Sequence, residues 1–387
     1  MKVLYLLNTT IMGGGNISFI NMISGLYDKG VEAYIAYPDK KIDEVFYQRT
    51  KDIVKGYYHV RMGTWFLDTS ETTLKRMVKN ICKRIMYLNP LCQRQETMAV
   101  KQIIREVQPD IVHTNVGVIR AGYYAAKETN IPHIWHVREY QTKGLGWRIF
   151  PTKEAYESLL RHSYVITISK DLINHFNLTG LNNVKCVYNG CFSEKEVTNI
   201  YPKQKYFLCC SQITKQKGLD EAIKAFSVFK ENRNYAEYRL LIAGFGKKSI
   251  VEDLRKLSRE VQCGDTVDFI GYQEDVCPFL DNATALIVSS QYEGFGRMTA
   301  EACFRGCLVI GNNTGGTKEI IEQTGGFHYT GSYLDLADKM KTVAELDENQ
   351  YIDQMKKSQC VAVELFSNER CAESVFEIYK DIIKSHI

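Results

Sequence analysis

The sequence has no long apolar run and little net charge. No apolar stretch in its 387 residues reaches the ~18 residues that a membrane-spanning helix needs. The apolar run at 3–7 leads directly into Asn and Gly, which is untypical of a secretion signal. Lys and Arg exceed Asp and Glu by 49 − 45 = 4, too few to bind nucleic acid through bulk charge. We expect a cytoplasmic chain that does not cross a membrane and has no nucleic-acid partner.

Cysteine motifs are also missing. The twelve cysteines are scattered and none forms a CxxC pair, so neither a zinc site nor a disulfide framework is indicated. Some, such as Cys209 and Cys210, lie in apolar runs, where a free thiol behaves as a small hydrophobic side chain. Reduced thiols fit an intracellular location.

What the sequence does contain is an alternation of short apolar runs with helical patterns, which is typical of βα units and parallel sheets. Predicted strands of the first series lie at 2–7, 31–37, 110–114, 133–137, 164–168 and 184–188. After a polar stretch, a second series lies at 206–210, 239–244, 266–271, 285–289 and 307–311. The pattern predicts an α/β protein with two Rossmann-like, doubly wound domains, at 1–192 and 193–366, and a C-terminal helix at 367–387 that can pack on either. Ligands of such sheets bind at the carboxyl ends of strands, which predicts a site in a cleft between facing domains.

A glycine-rich loop follows the first predicted strand. It reads IMGGGNIS at 11–18, and backbone amides without a Cβ at a helix start suit a phosphate or another anion. The spacing Gly13-x-Gly15-x-x-Ser18 is a weak match to the dinucleotide fingerprint, with Glu32 or Asp39 as the later acid. An NAD-dependent dehydrogenase and a purely structural turn therefore stay open as alternatives.

The segment 285–302 reads ALIVSSQYEGFGRMTAEA and combines a buried strand, a glycine-rich turn and a helix start. Glu293 lies in the turn, and Glu301 lies about one turn into the helix. The amides of 294–297 suit a phosphate, and carboxylates accept hydrogen bonds from sugar hydroxyls. This layout fits a nucleotide sugar. Ordinary acidic residues near a helix N-terminus are the simpler alternative.

The residue order of this segment resembles the C-terminal motif of the family 4 glycosyltransferases, also called glycosyl transferases group 1. The later parts of that motif read GCLVI at 306–310 and GGTKEI at 315–320, and the Glu-x7-Glu spacing is intact. Further segments resemble the family at 12–15, 187–190, 211–218 and 267–276, whereas 38–108 does not. The resemblance implies the GT-B fold, with two Rossmann-like domains facing across a cleft.

The resemblance also implies a role for each matched residue. Lys217 would hold the diphosphate, Glu301 the ribose hydroxyls and Glu293 the transferred sugar. His136 resembles the histidine near the sugar, although a histidine that ends an apolar strand is as often structural. The remaining implied positions are Gly14, Gly15, Gln212, Gly294, Phe295, Gly296 and Arg297 for the donor, and Arg138 and Asn189 for the acceptor or another role.

Gln212 departs from the family, which has an arginine at this position. A charge-assisted hydrogen bond of roughly 1.5–3 kcal/mol is thereby replaced by a neutral one of roughly 0.5–1.5 kcal/mol. Lys215 or Arg297 could supply the missing cation. Without one, we expect weak donor binding, and a catalytically degenerate partner subunit stays open as an alternative.

The sequence therefore predicts a retaining glycosyltransferase of the hexosyltransferase type. It would move a sugar from a nucleoside-diphosphate sugar, UDP rather than GDP, to an acceptor hydroxyl in polysaccharide or lipid-linked glycan synthesis. The DxD pairs that hold a metal in the other large glycosyltransferase fold are absent, so we expect no metal and no other cofactor. A nucleotide-sugar epimerase of similar fold is an alternative that would turn over donor without an acceptor.

A basic amphipathic helix is predicted at 72–88. One face carries Leu74, Met77, Val78, Ile81, Ile85 and Leu88, and the other sides carry Lys75, Arg76, Lys79, Lys83 and Arg84. Such a helix can lie on an anionic membrane surface, which predicts a peripheral location on the inner face of the membrane. The alternative is that the apolar face packs on the N-terminal sheet.

Overall fold

The chain folds into two compact units. The computed structural model describes residues 1–68, 74–143 and 146–386. The first unit is Met1–Gly190 together with Asn368–Ile387, and the second unit is Cys191–Ser367. Each unit is built around its own parallel sheet.

The first unit has a Rossmann-like sheet with the strand order β3-β2-β1-β5-β6-β8-β9, in which neighbouring strands run parallel. A separate antiparallel pair joins β4 and β7. The strands are β1 (Lys2–Leu6), β2 (Glu32–Tyr37), β3 (Val54–His59), β4 (Phe66–Asp68), β5 (Ile111–Thr114), β6 (His133–Val137), β7 (Trp147–Ile149), β8 (Tyr164–Thr167) and β9 (Val184–Cys186).

Side-chain caps begin several helices of this unit. Asp43, Asn89 and Ser169 each accept a hydrogen bond from a backbone amide of the first turn, which satisfies a donor that the helix itself leaves unpaired. The helices are α1 (Gly14–Tyr27), α2 (Glu44–Thr50), α3 (Leu74–Leu88), α4 (Pro90–Val107), α5 (Ala121–Thr129), α6 (Lys153–Arg161) and α7 (Lys170–His175).

The second unit repeats the design with the parallel order β12-β11-β10-β13-β14-β15. Its strands are β10 (Gln204–Cys210), β11 (Arg239–Ala243), β12 (Val267–Gly271), β13 (Ala283–Val288), β14 (Leu308–Asn312) and β15 (Phe327–Tyr329). Its helices are α8 (Leu219–Lys230), α9 (Lys248–Glu260), α10 (Cys277–Asn282), α11 (Arg297–Phe304), α12 (Gly315–Thr324), α13 (Tyr333–Ala344) and α14 (Glu348–Phe366). The last helix, α15 (Asn368–His386), belongs to the first unit.

None of the helices in the described part of the chain is both long and apolar enough to span a membrane.

The two cores are apolar and separate. In the first unit, Val375, Tyr379 and Ile382 of α15 are buried among residues of α1 and of the central strands. In the second unit, the ring of Phe229 stacks on Tyr235 with centroids 4.3 Å apart and meets Phe207 edge-on at 5.3 Å. Helices therefore cover the sheet of each unit, as a parallel sheet requires.

The predicted fold class is confirmed, because both units are Rossmann-like α/β structures with parallel sheets. Each predicted strand lies within two residues of an observed one. The elements that sequence analysis missed are β3, β4, β7, β15, α2, α13 and α14. Three of these strands have only three residues, too few for a periodic pattern to emerge. The missed helix α14 begins with a capping box formed by Asp347 and Gln350, which is a local signal that the sequence does contain.

The aromatic cluster of the second unit gives a stability prediction. Phe229 is fully buried, so Phe229→Ala leaves a cavity and should lower the free energy of unfolding by about 3–5 kcal/mol. Urea denaturation of the full chain measures this change. Phe245→Ala is the control, since Phe245 is 59% exposed and its loss should change stability by less than about 0.5 kcal/mol. Equal effects of the two variants would contradict the packing described.

Candidate active site

The second unit has a topological switch point between β10 and β13. The chain continues from β10 to β11 on one side, and β13 pairs with the other side of β10. Loops that follow such adjacent strands form the ligand crevice of a doubly wound sheet. Lys217 follows β10 and Glu293 follows β13, and Lys217 Nζ donates to Glu293 Oε1 at 2.5 Å. Both side chains are about a quarter exposed.

Backbone contacts hold this ion pair in place. Ser289 Oγ, at the end of β13, donates to the carbonyl of Lys217 at 2.8 Å. Gly218 follows with φ +61°, and a Cβ at this position would lie 2.3 Å from the carbonyl oxygen of Ser289. Only glycine tolerates both conditions. On the other side, the amide of Gly316 donates to the carbonyl of Glu293 at 2.8 Å, which ties the Glu293 loop to the start of α12.

The helix that follows the Glu293 loop begins after Gly296, whose φ is +91°. In its first turn, Arg297 pairs with Glu301 one turn further on. Glu301 is 6% exposed, and burial raises the pKa of its carboxyl while the charge of Arg297 opposes that rise. The pair brings a buried acid and a cation to the helix end at which the first backbone amides of α11 lie.

Two buried hydroxyls lie beside Gly296. A Cβ built on Gly296 would be 3.1 Å from Thr317 Oγ1 and 3.2 Å from Thr299 Oγ1. Both threonines are at most 1% exposed, and neither hydroxyl has a hydrogen-bond partner within the described residues. Buried polar groups are nearly always paired, so two buried hydroxyls without a partner beside Gly296 are a notable feature of this part of the second unit.

Other predicted donor residues are placed differently. The ring of Phe295 is buried against Phe366, with centroids 5.6 Å apart. The side chain of Phe295 is therefore packed in the core, and its main chain is the part that a ligand of this loop could contact. Gln212 and Lys215 are exposed in the loop after β10. Of the two cations considered as a replacement for the family arginine, Arg297 is paired with Glu301 and Lys215 is exposed.

Two exposed aromatic residues were missed by sequence analysis. Phe245 follows β11 and is 59% exposed, and Tyr272 follows β12 and is 68% exposed. Their ring centroids are 6.0 Å apart. Both rings lie at the same carboxyl edge of the sheet as Lys217. Their position after consecutive strands was the signal available in the sequence.

In the first unit, the loop after β1 is held by Asp39. The carboxylate of Asp39 accepts from the backbone amide of Thr10 at 2.5 Å and from its hydroxyl at 2.9 Å. Gly14 and Gly15 form the first turn of α1, and a Cβ on Gly15 would meet nothing within 4 Å. The amides at this helix start are thus accessible, whereas Asp39, the acid considered for a dinucleotide ribose, is engaged by the loop.

A buried polar cluster lies at the carboxyl ends of β5 and β6. Arg138 donates from Nε to Asn115 Oδ1 at 2.9 Å and from Nη1 to Asn189 Oδ1 at 2.7 Å. Its Nη2 lies 3.3 Å from His136 Nδ1. All four residues are less than 9% exposed. The structure therefore brings His136, Arg138 and Asn189 together, and adds Asn115, which sequence analysis missed.

The hydrogen bonds of this cluster define the tautomer of His136. A guanidinium only donates, so Nδ1 of His136 accepts and the neutral ring carries its proton on Nε2. His113 Nε2 also lies 3.2 Å from that Nδ1, and Tyr379 OH lies 2.6 Å from His113 Nδ1. His136 Nε2 is buried without a partner in the described ranges, which leaves one N–H available to a ligand.

Electrostatics keep the cluster neutral apart from its arginine. Burial, with a further contribution from Arg138, holds the pKa of both His113 and His136 well below the usual value. Burial also lowers the pKa of Arg138 to about 10, so the guanidinium stays charged at neutral pH. The histidines therefore act as hydrogen-bonding groups and not as cations.

Comparison with known proteins places the second unit in a family. Residues 192–358 match the model of the family Glycosyl transferases group 1. The second unit carries a glycosyl transferases group 1 domain. The predicted resemblance is confirmed at this level, whereas membership of family 4 and retention of configuration stay predictions.

Curated relatives match either part of this chain or almost all of it. An N-acetyl-alpha-D-glucosaminyl L-malate synthase of Bacillus anthracis is 24% identical over 240 residues, which are 58% of this chain and 61% of that protein. The match thus spans about three fifths of that relative. An uncharacterized 42.6 kDa protein in the cps region of Klebsiella pneumoniae is 24% identical over 95% of this chain and 96% of its own length.

Solved structures share the fold of the whole chain. HepE of Anabaena, solved in complex with UDP, has a TM-score of 0.77 at 18% identity, over 98% of this chain and 100% of that one. Sucrose-phosphate synthase from Thermosynechococcus elongatus has a TM-score of 0.74 at 14% identity and covers both chains fully. These neighbours are GT-B glycosyltransferases, and the likeness establishes the fold alone.

The buried histidines predict a pH-dependent stability. The pKa of His136 is depressed in the folded chain, so below the unfolded value of about 6.5 the unfolded chain binds a proton that the folded chain does not. His113, whose pKa burial also lowers, and His133, whose pKa burial lowers to about 3, behave alike. The contribution of these histidines to the free energy of unfolding should be constant above pH ~6.5. Below pH ~6.5, each histidine should lower this free energy by up to ~1.4 kcal/mol per pH unit.

Urea denaturation between pH 7.5 and pH 5 measures this slope. His136→Asn removes one of the titrating groups, so the variant should lose stability less steeply than the wild type below pH ~6.5. An unchanged slope in the variant would contradict a neutral, buried His136.

Proposed function

We propose that the chain is a glycosyltransferase that moves a sugar from a nucleoside-diphosphate sugar to an acceptor hydroxyl. The observation that carries this proposal is the ion pair of Lys217 and Glu293 at the switch point of a glycosyl transferases group 1 domain. The ammonium of Lys217 offsets the repulsion between the carboxylate of Glu293 and a bound diphosphate. A diphosphate and a hydroxylated sugar can therefore bind next to each other at this pair.

The donor site is assembled from groups of the second unit. We assign the diphosphate to Lys217, to the amides of Gly294, Gly296 and Arg297 at the start of α11, and to the hydroxyls of Thr299 and Thr317. Amides at a helix N-terminus bind anions through unpaired N–H groups and the helix dipole. Glu301 would accept from the ribose hydroxyls, exchanging part of its contact with Arg297.

The nucleobase would lie against the exposed rings that follow β11 and β12. Phe245 and Tyr272 offer apolar faces at this edge of the sheet, and stacking on an aromatic ring contributes about 1–3 kcal/mol per base. We propose a uracil base, which is the base of the ligands bound to the solved HepE structures with UDP and with UDP-glucose.

In the reaction, the bond between the anomeric carbon and the diphosphate oxygen breaks, and the acceptor oxygen forms its bond to the same carbon. We propose retention, with attack on the face from which the diphosphate leaves and transfer of the acceptor proton to the departing phosphate oxygen. Negative charge grows on that diphosphate, so Lys217 and the α11 amides stabilise the transition state more than the ground state. Glu293 positions the sugar hydroxyls and is not a covalent nucleophile.

The first unit would contribute the buried cluster around His136. The Nε2–H of His136 is a hydrogen-bond donor without a partner in the described residues, and a sugar hydroxyl is an acceptor that fits it. Arg138 and Asn189 fix the ring in its donating tautomer by their mutual hydrogen bonds. Gly14 and Gly15 would contribute helix-start amides to an anionic group of a substrate.

The product is proposed to be a polysaccharide or a lipid-linked glycan. The Klebsiella pneumoniae relative, which matches over almost its entire length, is described by its location in a cps region.

We also propose that the reaction needs no metal ion, since the charge of the diphosphate is assigned to Lys217 and to backbone amides.

The first test is substitution of the ion pair. Lys217→Ala and Glu293→Ala should each lower turnover of a UDP-sugar at least about tenfold, which corresponds to roughly 1.4 kcal/mol of barrier. Lys224→Ala is the matched control, because Lys224 also pairs with acids, Asp220 and Glu221, but on the surface of α8. Circular dichroism confirms that each variant is folded. Wild-type rates in both site variants would remove the assignment.

The second test is thermal stabilisation by nucleotides. A ligand that binds only the folded chain stabilises it by about 2.7 kcal/mol at one hundred times its dissociation constant, so UDP-glucose should raise the melting temperature of the wild type but not of Lys217→Ala. Stabilisation by NAD instead would favour a dehydrogenase. Turnover of UDP-glucose to an epimer without any acceptor would favour an epimerase.

A further inference from the structure

Helix α3 exposes a continuous apolar stripe. The residues of the stripe recur every three or four positions and therefore share one face of the helix. Each is more than half exposed, from 52% to 78%: Leu74, Met77, Val78, Ile81, Ile85 and Leu88. Residues 72 and 73 of the predicted helix and the side chain of Lys75 lie outside the described part of the chain. The exposure rules out the expectation that this face packs on the sheet of the first unit.

The opposite face of α3 holds the helix on the first unit. Lys83 lies half a turn from Ile81 and Ile85 on the helical wheel, and its Nζ donates to the carbonyl of Phe66 in β4 at 3.1 Å. At one side of the helix, next to the stripe, the guanidinium of Arg84 lies 5.8 Å from the centre of the Phe150 ring. The stripe thus points directly away from the body of the unit.

The charge around the stripe has a single sign. From 72 to 95 the sequence contains Lys or Arg at 75, 76, 79, 83, 84 and 94, and neither Asp nor Glu. On the helical wheel, Arg84 lies next to the stripe and Lys79 lies further round the helix, and both are exposed. A flexible cationic side chain can keep its stem on an apolar surface and its charge in water, so we call the cations at the sides of the stripe its basic rim.

We propose that this stripe docks the protein on an anionic lipid surface. An aliphatic face with a basic rim matches the acyl boundary and the charged headgroups of such a membrane. Aromatic residues and arginine, which dominate protein–protein hot spots, are absent from the stripe. A second copy of the chain would bring two basic rims together in a symmetric contact, so charge disfavours a dimer.

The experiment is sedimentation of the full chain with vesicles, without any sugar donor, so that its outcome does not depend on the proposed enzymatic activity. Vesicles of phosphatidylcholine with 30% phosphatidylglycerol should bind the wild type at low salt. Binding should fall at least tenfold with pure phosphatidylcholine or with 0.5 M NaCl, because salt screens surface charge.

The decisive variant is the double substitution Ile81→Asp and Ile85→Asp. Both side chains are exposed, so the fold is retained while the stripe gains two acids, and the vesicle-bound fraction should fall at least tenfold. The matched control is Val45→Asp with Leu334→Asp, since these residues are 56% and 53% exposed elsewhere on the chain; it should bind like the wild type.

Three outcomes would overturn the proposal. One is no binding of the wild type to anionic vesicles at low salt. Another is equal binding of the stripe variant and the control variant. The third concerns a wild type that does not bind vesicles. If light scattering gives it the mass of two chains and gives the stripe variant the mass of one chain, the stripe is the contact surface of a dimer.

Discussion

The close approach of Gly218 to the end of β13 is the constraint on which the candidate site depends. Because a Cβ at this position would collide with the carbonyl of Ser289, glycine lets the turn after β10 lie directly against the strand that pairs with it. Lys217 is thereby brought to Glu293 from a position 76 residues away in sequence. Hydrogen bonds to the main chain fix this geometry, from Ser289 Oγ to the carbonyl of Lys217 and from the amide of Gly316 to the carbonyl of Glu293.

The two units use burial in opposite ways. In the second unit, the paired side chains of Lys217 and Glu293 stay partly exposed. In the first unit, burial keeps His113 and His136 neutral beside a charged Arg138. The desolvation that lowers the histidine pKa also makes an unpaired N–H costly, and this cost is what a bound hydroxyl would relieve. One unit thus offers charge and the other offers directional hydrogen bonds.

Helix α3 shows a different use of apolar surface. Elsewhere in each unit, apolar faces are buried against a sheet, whereas the α3 stripe faces outward with a basic rim. Exposure of this much aliphatic surface is unfavourable in water, and charge of a single sign around it disfavours a symmetric contact between copies of the chain. Because α3 is held through its opposite face, the stripe stays exposed.

The sequence by itself determined the alternation of strands and helices, the glycine-rich turn with Glu293 followed by a helix with Glu301, and the apolar face of α3, because these features are local or periodic. It did not reveal Thr299, Thr317, Asn115 or His113 as parts of the sites, since a single hydroxyl or amide carries no pattern. Nor could the sequence show whether the apolar stripe of α3 is packed against the sheet or exposed. Only the tertiary structure decided these points, because strand order and helix orientation determine which distant side chains meet and which face water.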